Sequence, residues 1–234
     1  GRRAFCLRKL EGRGKTMTLA EIVAAFRGEI HDTKKPYLVS DSDAIRYANQ
    51  AESEAARRSR LLVDSRSEVC SADVIAGDPV VSIDSRIISI RRARLQSSST
   101  PLTKRQARQM DGEFAGWDAS SSQSVPFIIV TDYGTNQLYL YPTPKADSTL
   151  MLTVTREPLN QMVADSDSPE IARRYHDGLI NWMRHRAYQA DDSDLYDAGA
   201  SGRALAEFDA EFGPSIGAID EQFEFEHYHD VGER

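Results

Sequence analysis

The spacing of hydrophobic residues changes twice along this chain of 234 residues. Up to about residue 63, and again from residue 168, apolar residues recur every three or four positions, which is typical of amphipathic helices. Over residues 66–157 they alternate or form short runs bounded by glycine, proline and aspartate, which is typical of strands. This order predicts an α+β fold, in which a helical bundle from the N- and C-terminal helices carries an inserted antiparallel β module.

The first two helices have clear start signals. Thr18 and Glu21 have the spacing of a capping box, and Gly28 is a suitable end for that helix. The serine and aspartate residues at positions 40–43 predict the cap of a longer helix over residues 42–63. One face of this second helix carries small residues that allow a partner helix to approach closely: Ala44, Ala48, Ala51 and Ala55.

Two more helices are predicted after the β segment. Ser168-Pro169-Glu170 has the sequence of a helix start, with proline in the first position. The helix that follows carries an apolar stripe suited to the alanine face: Tyr175, Leu179 and Trp182. The last helix ends at Gly213-Pro214, and its buried side is predicted to consist of Leu205, Phe208 and Phe212.

The β segment divides into short strands and one short helix. The predicted strands are Val69–Ile75, Val80–Ile83, Ile87–Arg94, Phe127–Val130, Gln137–Tyr141 and Thr149–Thr155, with a helix over residues 104–110. The last three strands are predicted to form one meander, and alternation in the last of them predicts one buried and one exposed face.

These patterns divide the chain into four parts. Residues 1–16 form a basic N-terminal arm, and residues 17–63 plus 168–213 form the helical bundle. Residues 64–167 form the inserted β module, and residues 214–234 form an acidic C-terminal arm.

The charge is distributed unevenly, although the net charge is only −7. Residues 1–16 hold six basic residues and one acidic residue, a net charge of +5, whereas residues 216–234 carry −5. An acidic body argues against a general nucleic-acid binder, and we expect the arms to contact other protein chains. The first methionine is Met17, so residues 1–16 are explained equally well as an extension before the natural start. The candidate contact residues are Arg2, Arg3, Arg8, Lys9, Arg13, Phe223, Phe225 and Tyr228.

No pattern of residues predicts catalysis, a metal or a cofactor. His176 and His185 are nine positions apart, on opposite faces of a helix, and no nucleophile motif is present around Cys70. His227 and His229 lie in the acidic arm, where such spacing arises by chance. The arginine clusters at 57–60 and 86–94 are interpreted as surface residues paired with acids.

Three further classes of protein are excluded. No apolar run approaches the roughly 20 residues that span a bilayer, and none has the length of a signal-peptide core. Two cysteines, Cys6 and Cys70, cannot form a disulfide framework, which favours a reducing compartment.

The order of elements over about residues 41–213 resembles the head-to-tail adaptor proteins of tailed bacteriophages. The opening helix runs from Asp43 to Leu62 and is followed by Ala76-Gly77 and by residues 87–94. The resemblance continues through Trp117, residues 138–142 and 150–158, and it is strongest in residues 169–171, 175–179 and 185–188, Phe208 and residues 212–213.

This resemblance implies a structural protein of the virion neck that is assembled in the host cytoplasm. Such adaptors form a homo-oligomeric ring, usually a dodecamer, beneath the portal protein and dock the tail tube or nozzle protein. The resemblance implies no catalytic residues and no membrane contact, and packaged DNA passes through the lumen without sequence-specific binding. Two alternatives stay open: a component of the tail tube or nozzle, and a cell-wall hydrolase that uses paired carboxylates.

Overall fold

The computed structural model describes residues 16–190 and 194–217, which form two compact units. The helical unit contains the described residues up to Glu52 and those from Asn160 to Glu211. The β unit contains residues 53–159 and continues from Phe212. The presence of both helices and sheets confirms the predicted α+β class.

The described residues contain five α-helices. They are α1 (Leu19–Glu29), α2 (Asp41–Ser59), α3 (Ala107–Glu113), α4 (His176–Tyr188) and α5 (Ala198–Phe212). None of these helices combines the length and the apolar character that a bilayer span requires.

The start signals of α1 and α2 are confirmed. The Glu21 amide donates to Thr18 Oγ1, and the Thr18 amide donates to Glu21 Oε2, so both halves of the capping box are present. At α2, Ser40 Oγ accepts from the Asp43 amide at 3.1 Å. The predicted end of α2 is wrong by four residues, because Arg60 has a left-handed φ of 52° and stops the helix after Ser59.

The alanine face of α2 is fully buried. Ala44, Ala48, Ala51 and Ala55 each have 0% exposure. Small side chains of this kind add little apolar area, so their burial depends on close packing rather than on size.

The predicted helix start at Ser168-Pro169-Glu170 is wrong. Residues 168–172 are not helical, and α4 begins at His176 after a single 3₁₀ turn. The amides of Glu170 and Ile171 donate instead to Glu52 Oε1, and Glu52 has 1% exposure. A buried carboxylate on α2 therefore takes the amides that a local helix start would have left free.

Ten strands are present among the described residues of the β unit. They are β1 (Val63–Asp64), β2 (Ser71–Val74), β3 (Val80–Ser82), β4 (Ile87–Leu95), β5 (Thr103–Arg105), β6 (Gln123–Ser124), β7 (Ile128–Gly134), β8 (Gln137–Tyr141), β9 (Thr143–Pro144) and β10 (Ser148–Arg156).

These strands form two four-stranded sheets and one short pair. In the first sheet β10 pairs with β4 on one side and with β1 and β2 on the other; the second sheet has the order β3-β8-β7-β5. The strand pairs β5–β7 and β6–β9 are parallel, so the prediction of a purely antiparallel module is wrong.

The predicted three-stranded meander is also wrong. Strands β7 and β8 form a hairpin, but β10 belongs to the other sheet. The connecting residues bond to the turn after β2 instead of closing a hairpin: the Gly77 amide donates to the Pro144 carbonyl, and the Ala76 amide donates to Asp147 Oδ1. In β10, Leu150, Leu152 and Val154 are buried as expected, whereas Thr155 on the predicted exposed face also has 0% exposure.

Residues from both sheets share one apolar core. Its members include Ile90, Ile129, Leu138, Leu140, Leu150 and Val154. A second cluster lies on the other face of β7 and β8, where α3 and the 3₁₀ turn at Trp117 cover Ile128, Val130 and Tyr139. The predicted helix at 104–110 is therefore real but lies at 107–113, over this cluster.

Candidate interaction surfaces

The acidic C-terminal arm begins at the end of α5, which hydrogen bonds from α2 hold in place. Gly213 ends α5 with a φ of 88°, a left-handed conformation that glycine adopts without strain. On α2, Ser59 Oγ donates to the Phe212 carbonyl at 2.7 Å, and Arg58 Nη1 donates to the Gly213 carbonyl at 3.2 Å. These bonds satisfy carbonyls that the end of a helix leaves free.

A second pair of contacts extends this anchoring past the helix. Arg57 Nη1 donates to the Ile216 carbonyl at 3.3 Å. The Glu54 carboxylate accepts from Arg57 at 3.0 Å and from Arg58 Nε at 2.9 Å, which holds both guanidinium groups in place. The direction in which the chain leaves α5 is therefore set by the last two turns of α2.

The start of α1 is held by the loop at residues 163–167. The amides of Leu19 and Ala20 donate to the carbonyls of Asp167 and Asp165, at 2.7 and 3.2 Å. The Asp167 carboxylate accepts from the amides of Val163 and Ala164, and these bonds lower its pKa. The N-terminal arm thus joins a helix whose first turn is fixed.

The predicted contact residues of both arms lie outside the described residues. They are Arg2, Arg3, Arg8, Lys9, Arg13, Phe223, Phe225 and Tyr228. His227 and His229 also lie outside the described part of the chain.

A groove of about 350 Å³ lies beside α1 in the helical unit. Its apolar wall is formed by residues of α1 and the start of α2: Leu19, Ala20, Val23, Ala24 and Ile45.

A buried ionic network shapes the end of this groove. Arg27, at 6% exposure, contacts Asp32 at 2.8 Å and Asp41 at 2.7 Å, and its guanidinium carbon lies 3.7 Å from the centre of the Tyr37 ring. Asp32 also accepts from the amides of residues 38 and 39, so a single buried carboxylate orders the loop between α1 and α2.

Exposed apolar side chains collect at one end of the β unit. Ile75, Val125 and Phe127 are 49–61% exposed. Their segments are joined through β9, because the Gly77 amide bonds to the Pro144 carbonyl and the Lys145 amide bonds to the Ser124 carbonyl. Apolar groups left in water at one end of a unit favour a contact with another protein.

The interpretation of the arginine clusters is confirmed in part. Arg57 and Arg58 pair with Glu54, and Arg86 pairs with Asp84 at 2.7 Å. The hydrogen bond from Arg86 is also the main reason that the pKa of the Asp84 carboxyl falls to about 2. For Arg91, Arg92 and Arg94 the interpretation stays a prediction, because they form no ion pair with any described residue.

The two helix histidines have packing contacts. His176 has 0% exposure and its Nε2 lies 3.0 Å from the Ile171 carbonyl; burial lowers its pKa. His185 Nδ1 lies 2.9 Å from Ser201 Oγ, a Ser–His geometry, but both residues are buried and the hydroxyl lies within 3.2 Å of the His185 carbonyl. This pair therefore joins α4 to α5.

Cys70 and the acidic residues give no metal site in the described chain. Cys70 is buried, and burial raises the pKa of its thiol. Within residues 16–190 and 194–217, no three histidine, cysteine or acidic side chains are grouped so that they could hold a metal.

A comparison with protein families decides the identity. The family described as SU10 adaptor protein matches residues 17–227. The chain belongs to the SU10 adaptor protein family. The resemblance to phage head-to-tail adaptors is thereby confirmed, and the match extends beyond residues 41–213 to include α1. No curated protein matches the sequence.

Membership makes this chain a structural phage protein of the adaptor class. The sequence patterns predicted the two arms but not the groove or the Arg27–Asp32 pair. Asp32 follows Arg27 by five residues and lies beyond the end of α1. In the sequence this spacing looks like two separate charged surface residues, so it did not predict a buried ion pair.

Proposed function

We propose that this adaptor forms a ring, a dodecamer, beneath the portal protein in the virion neck. The ring extends the DNA channel and docks the tail tube or nozzle protein, and it is assembled in the host cytoplasm. The observation that carries the proposal is the family match over residues 17–227. The role is structural and requires no catalytic residue or cofactor.

Within the ring, residues 17–63 and 168–213 would form a helical bundle that carries residues 64–167 as an insert. Two features support this division. Helices α1 and α4 belong to one compact unit and contact each other, and the strands belong to the other unit.

The arms, residues 1–16 and 214–234, would hold the portal or a neighbouring adaptor. A chain segment loses less entropy on binding when its attachment point is already fixed. The bonds from Arg57, Arg58 and Ser59 fix that point for the C-terminal arm.

The test is the native mass of the purified chain, alone and after mixing with the portal protein of the same phage. We expect a ring of many copies to form on mixing. A 26 kDa monomer that leaves the portal unchanged would contradict the proposal.

Removal of residues 216–234 tests the C-terminal arm, and removal of residues 1–16 tests the N-terminal arm in the same way. We expect the C-terminal deletion to weaken portal binding. Unchanged binding after this deletion would exclude the C-terminal arm while leaving the ring proposal in place.

DNA would pass through the ring without sequence-specific binding. The −7 charge supports this step, because a like-charged wall does not retain a polyanion. Replacing acids of the lumen wall with lysine should slow DNA ejection, and unchanged ejection kinetics would contradict this step.

A further inference from the structure

The β unit contains a basic segment that differs in charge from the rest of the chain. Residues 85–110 hold seven basic residues and no acidic residue, within a protein whose net charge is −7. Two of the seven are paired: Arg86 with Asp84, and Arg105 with Glu113 at 3.5 Å. The three arginines of β4, Arg91, Arg92 and Arg94, form no ion pair with a described residue.

These β4 arginines lie on one face of the first sheet. Arg92 is opposite Thr153 and Arg94 is opposite Met151, and both alternate with the core residues Ala93 and Leu95. Arg91 occupies an irregularity in the β4–β10 register, and its Nε donates to Thr155 Oγ1 at 3.1 Å. We call Arg91, Arg92 and Arg94 the arginine face.

The neighbouring strands supply no balancing charge. Strand β10 contains no acidic residue. Asp73 of β2, which is opposite Thr149, lies two strands from β4, a separation of about 9.5 Å. Arg91 and Arg92 are exposed, so the arginine face presents uncompensated positive charge to solvent.

We propose that the arginine face binds residues 223–228 of the acidic C-terminal arm, from the same or a neighbouring copy of the chain. The proposal deepens the role of the arm given above and rests on it.

Two observations select this occupant. Residues 216–234 carry −5, whereas the N-terminal arm carries +5 and is repelled. Glu224 and Glu226 are two positions apart, as are Arg92 and Arg94, and in extended chains both pairs are spaced by about 6.7 Å.

The arm starts in the same unit as the arginine face. Near the start of the arm, the Ile216 carbonyl accepts a hydrogen bond from Arg57, which belongs to the same β unit. The stretch from residue 216 to residue 223 spans up to about 25 Å when extended.

A charge exchange tests this contact in the full-length chain. The variants are Arg92→Glu with Arg94→Glu, Glu224→Arg with Glu226→Arg, and all four together. The control is Arg66→Glu with Arg203→Glu, which makes the same change in net charge at two exposed arginines outside the face. The measurement is the rate of chymotryptic cleavage after Phe223, Phe225 and Tyr228, followed by mass spectrometry.

Each reversed pair should raise the cleavage rate by about tenfold, since two exposed ion pairs shift an equilibrium by about that factor. The fourfold exchange should restore protection, the control should not change the rate, and 1 M NaCl should remove the difference. Equal cleavage in all variants would overturn the proposal. So would binding of a duplex DNA oligonucleotide that depends on Arg92 and Arg94 but not on the arm, because the face would then serve a nucleic acid. If portal binding persists in either case, only this inference fails.

Discussion

The two units bury different kinds of side chain. In the β unit, leucine, isoleucine and valine from two sheets share one core. In the helical unit, the buried face of α2 presents alanines, and buried charged groups order the loops: Arg27, Asp32 and Glu52. Where small residues supply little apolar area, hydrogen bonds to buried charged groups position the chain. We therefore expect substitution of a single buried polar residue to destabilise the helical unit more than the β unit.

Truncating the core of the β unit should have the largest effect. Leu140→Ala removes a side chain with 0% exposure, and we expect the free energy of unfolding to fall by about 3–4 kcal/mol. Urea denaturation measures it. Leu38→Ala, at a half-exposed site, is the control and should change the value by less than about 0.5 kcal/mol. Similar losses for both variants would remove the distinction between core and surface.

Asp32→Asn tests the corresponding claim for the helical unit. It leaves the buried Arg27 guanidinium with Asp41 as its remaining acidic partner, and we expect a loss of about 3 kcal/mol in the free energy of unfolding. Asp41→Asn alters the other contact of the same arginine. Because the Asp41 side chain is 74% exposed, this control should lose less than about 1 kcal/mol. Equal losses would show that burial of Asp32 is unimportant.

The two units should also respond to acid at different pH values. Burial lowers the pKa of His176, so the unfolded chain binds this proton more tightly and the helical unit loses stability as the pH falls through 6.5. In the β unit, burial alone would raise the pKa of Asp64. Hydrogen bonds from Ser67, Arg66 and Arg156 outweigh this effect, so the net pKa lies well below 3.8. The stability that Asp64 supplies is therefore present above about pH 4 and lost as the pH falls below that value.

Fluorescence separates these responses because each unit contains one tryptophan, Trp117 in the β unit and Trp182 in the helical unit. With the other tryptophan replaced by phenylalanine, urea midpoints are measured from pH 7.5 to pH 3. The Trp182 signal should weaken first, and His176→Gln should reduce its slope near pH 6.5. A β unit that weakens first would reverse the comparison.

The smallest expected effect concerns Gly213, where α5 ends and the C-terminal arm begins. Gly213→Ala places a side chain at a φ of 88° and should lower the free energy of unfolding by about 1 kcal/mol. Gly202 lies inside α5, and a Cβ added there has no atom within 4 Å. Gly202→Ala should therefore raise the free energy of unfolding by up to about 1 kcal/mol. Thermal unfolding of both variants checks the opposite signs. A neutral Gly213→Ala would show that the helix end tolerates a side chain.

Local signals predicted the elements better than their pairing. The capping box at Thr18 and the stop at Gly213 depend on nearby residues and were confirmed. The helix start at Ser168 failed because Glu52, more than a hundred residues earlier, takes the amides of residues 170 and 171. The predicted meander of β7, β8 and β10 failed because β10 pairs with β4, β2 and β1 instead. Alternation within a strand fixes its two faces but not its neighbours.

The arms illustrate the same limit for function. Their charges and aromatic residues are visible in the sequence, whereas the contacts that fix the exit of the C-terminal arm require Arg57, Arg58 and Ser59 to meet residues about 155 positions later. The unpaired arginines of β4 were equally hidden, because composition shows many acids but not that the partner strand has none.

Electron cryo-microscopy of the portal protein mixed with this chain tests the central claim most directly. The account predicts a closed ring beneath the portal, into which the helical unit and the β unit each fit once per subunit. Portal particles that gain no density, or chains bound singly without a ring, would contradict it.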